Sequence, residues 1–212
     1  MSIRAKLFAA AATSLVAAVG MTGCSREDTQ PAASSVVDTT AAPSAARWQL
    51  YRGVYVPYTA AGPADVSGAA PARYRQIPQG AVAAAMQGQA RLSLAPDGIW
   101  PAVTKAVALA GPGRARYATE RVMASITQEA DPAHTAQFAG FRLEGWTPEA
   151  VTVWLATRMP SGTLFAQPTR MVWHDADWKI ELPLPSAPGS DDRVPTDPTE
   201  LPNLHGYTEF HH

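Results

Sequence analysis

Apolar positions return along this chain with two different periods, and the change of period divides its globular part. Up to about residue 126 they recur every three or four residues, the spacing of one helix face. Ala81-Val82-Ala83-Ala84-Ala85-Met86, preceded by Pro78-Gln79-Gly80, predicts an alanine-rich helix running to about Leu92, with Val82, Ala85 and Met86 on one face. Its small side chains suit close packing against a sheet. Val103, Ala106, Val107 and Ala110 mark a second helix, with Asp97 as its cap, Pro101 in its first turn and Gly111-Pro112 as its stop. A third, about Ala115 to Glu129, would carry the stripe Ala118, Val122 and Ile126.

From residue 137 the period is two, as in strands with one buried face. Residues 137–144 align Ala139, Phe141 and Leu143, and residues 151–158 align Val151, Val153 and Leu155. Residues 163–173 are interrupted by Pro168, where a bulge or an edge is expected. Trp178, Ile180 and Leu182 alternate with Lys179 and Glu181, after a turn at His174-Asp175-Ala176-Asp177. Trp48 opens the packed region, and Gly53-Val54-Tyr55-Val56-Pro57 is a short strand ahead of the helices. The expected fold is α+β, with N-terminal helices packed on one face of a curved four-stranded antiparallel sheet.

Both ends of the chain fall outside this pattern. Arg4 and Lys6 precede a small or apolar run from Leu7 to Gly20, which rises only about 21 Å as a helix, against about 30 Å of hydrocarbon. It reads as a secretory signal, residues 1–23, rather than a spanning helix. Met21-Thr22-Gly23-Cys24 then resembles a bacterial lipobox, and Cys24 is the single cysteine of the 212 residues. Lipidation there would anchor the chain to a membrane without a transmembrane helix. Residues 24–46 are small and polar, a flexible, disordered tether. Residues 186–212 form a proline-rich, acidic tail with an aromatic patch, Leu204, Tyr207 and Phe210, which either folds back or docks on a partner. The domain between them is 47–185.

Charge sharpens these divisions. The net charge of −1 is too balanced for a nucleic-acid footprint, and one cysteine excludes a disulfide framework. That near-neutrality is a sum of opposed segments, since residues 47–185 hold 13 basic against 10 acidic side chains while the tail is acidic. The tail can therefore lie across the domain surface.

The order of elements resembles the cone-shaped fold of the nuclear-transport-factor-2-like proteins. The closing stretch Met171-Val172-Trp173-His174-Asp175-Ala176-Asp177-Trp178-Lys179-Ile180 is similar to the Trp-x-Asp-Gly-Asp-Trp hairpin of its secreted members, with Ala176 where glycine is more usual. Val56-Pro57 with Gly62-Pro63, and Pro78-Gln79-Gly80-Ala81-Val82-Ala83-Ala84, resemble a lipoprotein family of high-GC Gram-positive bacteria found beside conjugative elements. The resemblance implies a surface component of a conjugation or secretion assembly, although the same fold also houses enzymes.

Candidate chemistry is sparse. His174, Asp175 and Asp177 place three ligand types within four residues, but a hairpin turn uses Asp for its own backbone bonds and an exposed tip supplies no desolvation. No metal role is assigned to them, nor to the terminal pair His211-His212. His134 reads as a loop residue, and Arg142 and Arg158 as charges on the outer sheet face. No phosphate loop, HExxH, nucleophile elbow or dinucleotide fingerprint is present, so no catalytic residue and no cofactor are expected. Strand alternation turns Trp154 and Trp173 outward or toward the mouth of the cone. With Tyr207 and Phe210 they are the candidate interaction surface for a protein partner. The alternative is a small-ligand binder or isomerase-like enzyme using the cone, which requires a deep cavity lined by a buried ionisable group.

Overall fold

The computed structural model describes residues 37–184 and 198–211. The signal segment, Cys24, the tether up to residue 36, and residues 185–197 of the tail lie outside the described residues. The order of elements is β1 Arg47–Tyr51, β2 Val54–Tyr58, α1 Pro78–Leu94, α2 Trp100–Val107, α3 Pro112–Arg121, a 3-10 turn at Pro132–His134, β3 Gln137–Glu144, β4 Ala150–Arg158, β5 Leu164–His174, β6 Asp177–Glu181, β7 Thr199–Leu201 and β8 Thr208–Glu209.

The expected plan of N-terminal helices on a four-stranded sheet is corrected. A two-stranded hairpin, β1–β2, comes before the helices, and the main sheet has six antiparallel strands, in the order β6-β5-β4-β3-β8 with β7 beside β5. The missed strands have physical reasons. β1 is mostly exposed and shows no buried stripe, and Arg52 and Gly53 turn it back with φ of 48° and 98°. β7 and β8 span three and two residues, too short for any periodicity.

The helix α1 is the centre of the molecule. It opens on Pro78, whose missing N–H costs nothing in a first turn, and ends before Pro96. Ala81 to Met86 are buried on every side. A helix apolar all round belongs inside a core, here between the β1–β2 hairpin and the inner sheet face. That face is Phe141, Val151, Val153, Leu155, Thr169, Met171, Trp178 and Ile180, all buried. At Gly88 an added Cβ would lie 2.6 Å from Ile180 Cδ1, so glycine sets how closely α1 and β6 approach.

The other two helices are shorter than the pattern implies. Asp97 does not cap α2, whose N-cap is Ile99 with no side-chain bond. Its carboxylate instead accepts from the Ile126 amide (2.9 Å), the Ser125 hydroxyl (2.7 Å) and the Arg121 guanidinium (3.1 Å). α3 ends at Arg121 for the same reason. Arg121 is buried, donates to the carbonyls of Ala95 and Ala124, and its guanidinium lies over the Trp100 ring. The expected stripe breaks there, leaving Val122 exposed.

The C-terminal segment folds back as a strap. β6 covers Arg170–His174 on one edge of β5 and β7 covers Leu164–Ala166 on the same edge. Between them Pro168 has no N–H to offer an added strand, as its place at an edge requires. From β7 the chain crosses the outer sheet face, where Leu204 is buried with Ala139, Ala156 and Leu164. It ends at β8 on the β3 edge. Phe210 then reaches the main core, stacking on Phe141 (5.5 Å between centroids) and edge-on to Trp48 (5.7 Å). The end of the tether nearest the domain is also fastened, since Gln79 Nε2 donates to the carbonyls of Asp38 (2.9 Å) and Ala41 (3.1 Å).

The hydrogen bonds from Ile126 and Ser125, with Arg121 beside them, hold the Asp97 carboxyl below the ordinary 3.8. A carboxyl so depressed adds stability above its ordinary value and loses it as pH falls through the folded value. Asp97→Asn should therefore lower the urea midpoint at neutral pH, with the difference from wild type closing as pH drops below 3.8. Tryptophan fluorescence followed through urea titrations across this range checks it.

Candidate functional site

The four aromatic residues of the candidate surface divide between the two faces of the sheet. Trp173 and Phe210 face inward. Trp173 meets Trp178 edge-on at 5.3 Å, and Trp146 packs on Trp178 from 5.7 Å. Phe210 is held as described above. Trp154 and Tyr207 face outward, and the structure brings them together around Arg142.

The arrangement follows from strand alternation and the strap. Val153 and Leu155 are buried on the inner face, so Trp154 between them must project from the outer one. Arg142 stands directly opposite Trp154 in the β3–β4 register. Its guanidinium carbon is 5.2 Å from the Trp154 ring and 5.7 Å from the Tyr207 ring, which the strap delivers. Trp154 Nε1 donates to Glu144 Oε2 at 2.8 Å, and the same oxygen is 3.6 Å from Arg142 Nη1. One cation is thus in reach of two aromatic rings, with one carboxylate beside it. Each ring contact is worth about 0.5–1 kcal/mol at an exposed site. The result is an aromatic surface with polar atoms at its border, and among the described residues no helix covers it. Sequence reading assigned Arg142 to the outer face but missed its pairing, which needed the β3–β4 register and the fold-back of the tail.

The hairpin at His174 holds a second departure. His174 pairs with Asp177 and the loop is Asp175-Ala176, with φ of 51° and 57°. His174 and Asp175 are exposed, in line with a turn. Asp177 is buried: Oδ1 accepts from the amides of Tyr74 and Trp178, both at 3.0 Å, and Oδ2 from Lys179 Nζ at 3.1 Å. The exposed-tip expectation therefore fails for Asp177, because the 59–77 segment folds over it. Gly62, with φ of 120°, permits that fold, since a Cβ there would come within 2.8 Å of Tyr74 Cα. Among the described residues no group of three His, Cys, Asp or Glu side chains is arranged to hold a metal ion. His134 is exposed and bonded to Asp131 at 2.9 Å, as a loop residue. Arg158, at the end of β4, is exposed.

Two hollows bear on small-ligand chemistry. An open groove of about 860 Å³ runs between α1, α3 and the β5–β6 edge. On its wall Gln89 Nε2 donates to Thr169 Oγ1 at 2.9 Å, and Tyr117 donates to the Leu92 carbonyl at 2.6 Å. At its rim Arg116 pairs with Glu120 and Arg170 with Glu181, Arg114 donates to the Ala108 carbonyl at 3.3 Å, and none of its charged side chains is buried. The buried polar groups Tyr74, Gln87, Arg91 and Asp177 surround a different cavity, of about 10 Å³, between α1, α2 and β6. Burial pushes the Tyr74 hydroxyl well above the ordinary tyrosine range.

Fold and surface together define an α+β domain with a helix layer on one sheet face and an aromatic–cation cluster on the other. The chain belongs to the family described as a domain of unknown function (DUF8175), which matches residues 10–209. No curated protein and no solved structure matches it.

Two outcomes follow. Trp154→Ala should cost about 1–2 kcal/mol in chemical denaturation, through its contacts to Arg142 and Glu144 on the outer face, whereas Trp173→Ala should cost about 3 kcal/mol because its ring packs on Trp178 against the core. Ala176 carries a side chain in the left-handed region, so Ala176→Gly should raise stability by about 0.5–1 kcal/mol in the same assay.

Proposed function

We propose that this is a lipid-anchored cell-surface protein whose domain works without catalysis, as an adaptor that docks a protein partner. Its setting would be a conjugation or secretion assembly on the extracytoplasmic face of a membrane. The observation that carries the docking reading is the Trp154–Arg142–Tyr207 cluster on a sheet face left open by the helices. Aromatic rings and arginine, held in place before a partner arrives, lose little side-chain entropy on binding. The anchoring reading rests on Met21-Thr22-Gly23-Cys24 after a short apolar segment, with the chain's single cysteine at the one position a lipobox uses. Among the described residues no helix is long and apolar enough to cross a membrane, so attachment would rest on the lipid.

The buried ionisable groups that an isomerase-like enzyme would need surround a cavity with room for about one water. The larger groove has its charges at the rim. Neither hollow combines volume with a desolvated acid or base, and this favours the adaptor reading.

Cell fractionation and crosslinking test both halves. The full chain should sediment with membranes and Cys24→Ala should release it. The double variant Arg142→Ala/Trp154→Ala should stay in the membrane fraction but lose its crosslinked partner. Wild-type protein in the soluble fraction overturns the anchor, and crosslinks unchanged in the double variant overturn the docking face.

A further inference from the structure

The β1–β2 hairpin presents a strand edge that no described strand covers. β1 pairs with β2 through consecutive residues from Arg47 to Tyr51 without a bulge, and among the described residues no strand pairs with its other side. Two side-chain bonds show which main-chain groups face that side. Tyr55 gives its N–H to Gln137 Oε1 at 2.9 Å, and the Pro57 carbonyl accepts from Gln87 Nε2 at 2.8 Å. Both residues therefore direct their main-chain groups away from β1. Their register partners, Leu50 and Trp48, direct theirs away from β2, because the two members of such an antiparallel pair point outward together. The N–H and C=O of Leu50 meet no protein partner among the described residues.

The side chains along the edge define what fits it. Edge strands are commonly blunted by Lys, Pro or a bulge, and β1 has none of these. Leu50 is 51% exposed, and Tyr55 opposite it is 38% exposed. The strand is symmetric in polarity about Gln49, with Trp48 and Leu50 on one face and Arg47, Gln49 and Tyr51 on the other. A second β1, turned over about a twofold axis at Gln49, sets its Trp48 beside Leu50 and its Leu50 beside Trp48. This register uses both outward main-chain groups of both residues on each copy. It covers the exposed leucine with an indole and sets Arg47 beside a tyrosine, so no like charges meet. An axis moved to Leu50 would instead set Trp48 against Arg52, which lies in the turn. We propose that the β1 edge is a homodimer interface, in which two copies pair antiparallel through Trp48 and Leu50 and merge their hairpins into one continuous sheet. Two strands of this length cover less than the roughly 1,000 Å² of a stable interface, so the dimer is weak and forms with rising concentration.

Sedimentation equilibrium of the full chain over a range of concentrations should show a reversible monomer–dimer equilibrium. Leu50→Pro removes an outward N–H and leaves the β1–β2 ladder intact, so it should weaken association by about tenfold or more. Leu50→Lys should weaken it as well, by setting a charge against the indole. If Leu50→Pro does not fold, Leu50→Lys decides. In the full chain with Cys24→Ala, an introduced cysteine is the only thiol. There Gln49→Cys should oxidise to a disulfide-linked dimer, because the two copies of this residue face each other. Leu50→Cys should not, since the register holds its two copies more than about 7 Å apart. A chain monomeric at every concentration, association unchanged in the Leu50 variants, or a disulfide formed at position 50 in preference to 49 each overturns the proposal. So does a monomeric chain whose crosslinks to another protein vanish in Leu50→Lys, which would assign the edge to a foreign strand.

Discussion

Everything in this domain depends on how closely one small-sided helix can approach the sheet. Ala81 to Ala85 give α1 little bulk, and Gly88 lets the helix backbone come against Ile180 where a single Cβ would collide. That distance lets the β1–β2 hairpin close over the opposite side of α1, so one helix is packed from two directions. Interiors are dense enough that one extra methyl is felt. Enlarging any of these alanines would move the hairpin, the sheet, or both. The same close fit explains why polar α1 residues such as Gln87 and Arg91 end in the interior. Their side of the helix faces the β1–β2 hairpin, where Gln87 meets the Pro57 carbonyl and Arg91 the Tyr51 ring.

This geometry also sets what the two sheet faces can do. The inner face is used up by α1, and its tryptophans Trp146, Trp173 and Trp178 pack on one another there. Among the described residues the outer face has no helix, and part of it is covered by Leu204 and its neighbours in the strap. Beyond it, among the described residues, lies the region where Trp154 and Tyr207 meet Arg142. A partner would have to match a planar, mostly aromatic surface with charge at its border.

The parts of the fold legible in the sequence are those whose periodicity one packing partner imposes. β3, β4 and β6 each face the core on one side, and their alternation places Phe141, Val153 and Ile180 on the buried face. α1 was legible because alanine has few other preferences. The rest depends on contacts distant in sequence. Asp97 looked like a cap because it precedes a helix, but Ser125, Ile126 and Arg121 compete for it more effectively from the far end of α3. Asp177 looked exposed because it closes a hairpin, but a loop about a hundred residues earlier lies over it. Trp173 and Trp154 were read alike, yet their odd and even positions on paired strands send them to opposite faces. The Arg142 pairing needed a strand register and a tail whose path no local pattern records.

The last stretch of the strap has a mechanical consequence. Thr208 Oγ1 donates to the Thr40 carbonyl at 2.6 Å, and Trp48 Nε1 to the His211 carbonyl at 3.2 Å. The segment leading into the domain and the segment closing it are thus knotted at one place on the sheet edge. Tension on the N-terminal side reaches the domain first through these bonds and through Gln79. It would load the short β8 pairing before any central strand. Among the described residues β8 has the shortest pairing of any strand, two residues against β3, so a pull on the N-terminal side would open it while the core around α1 stays intact.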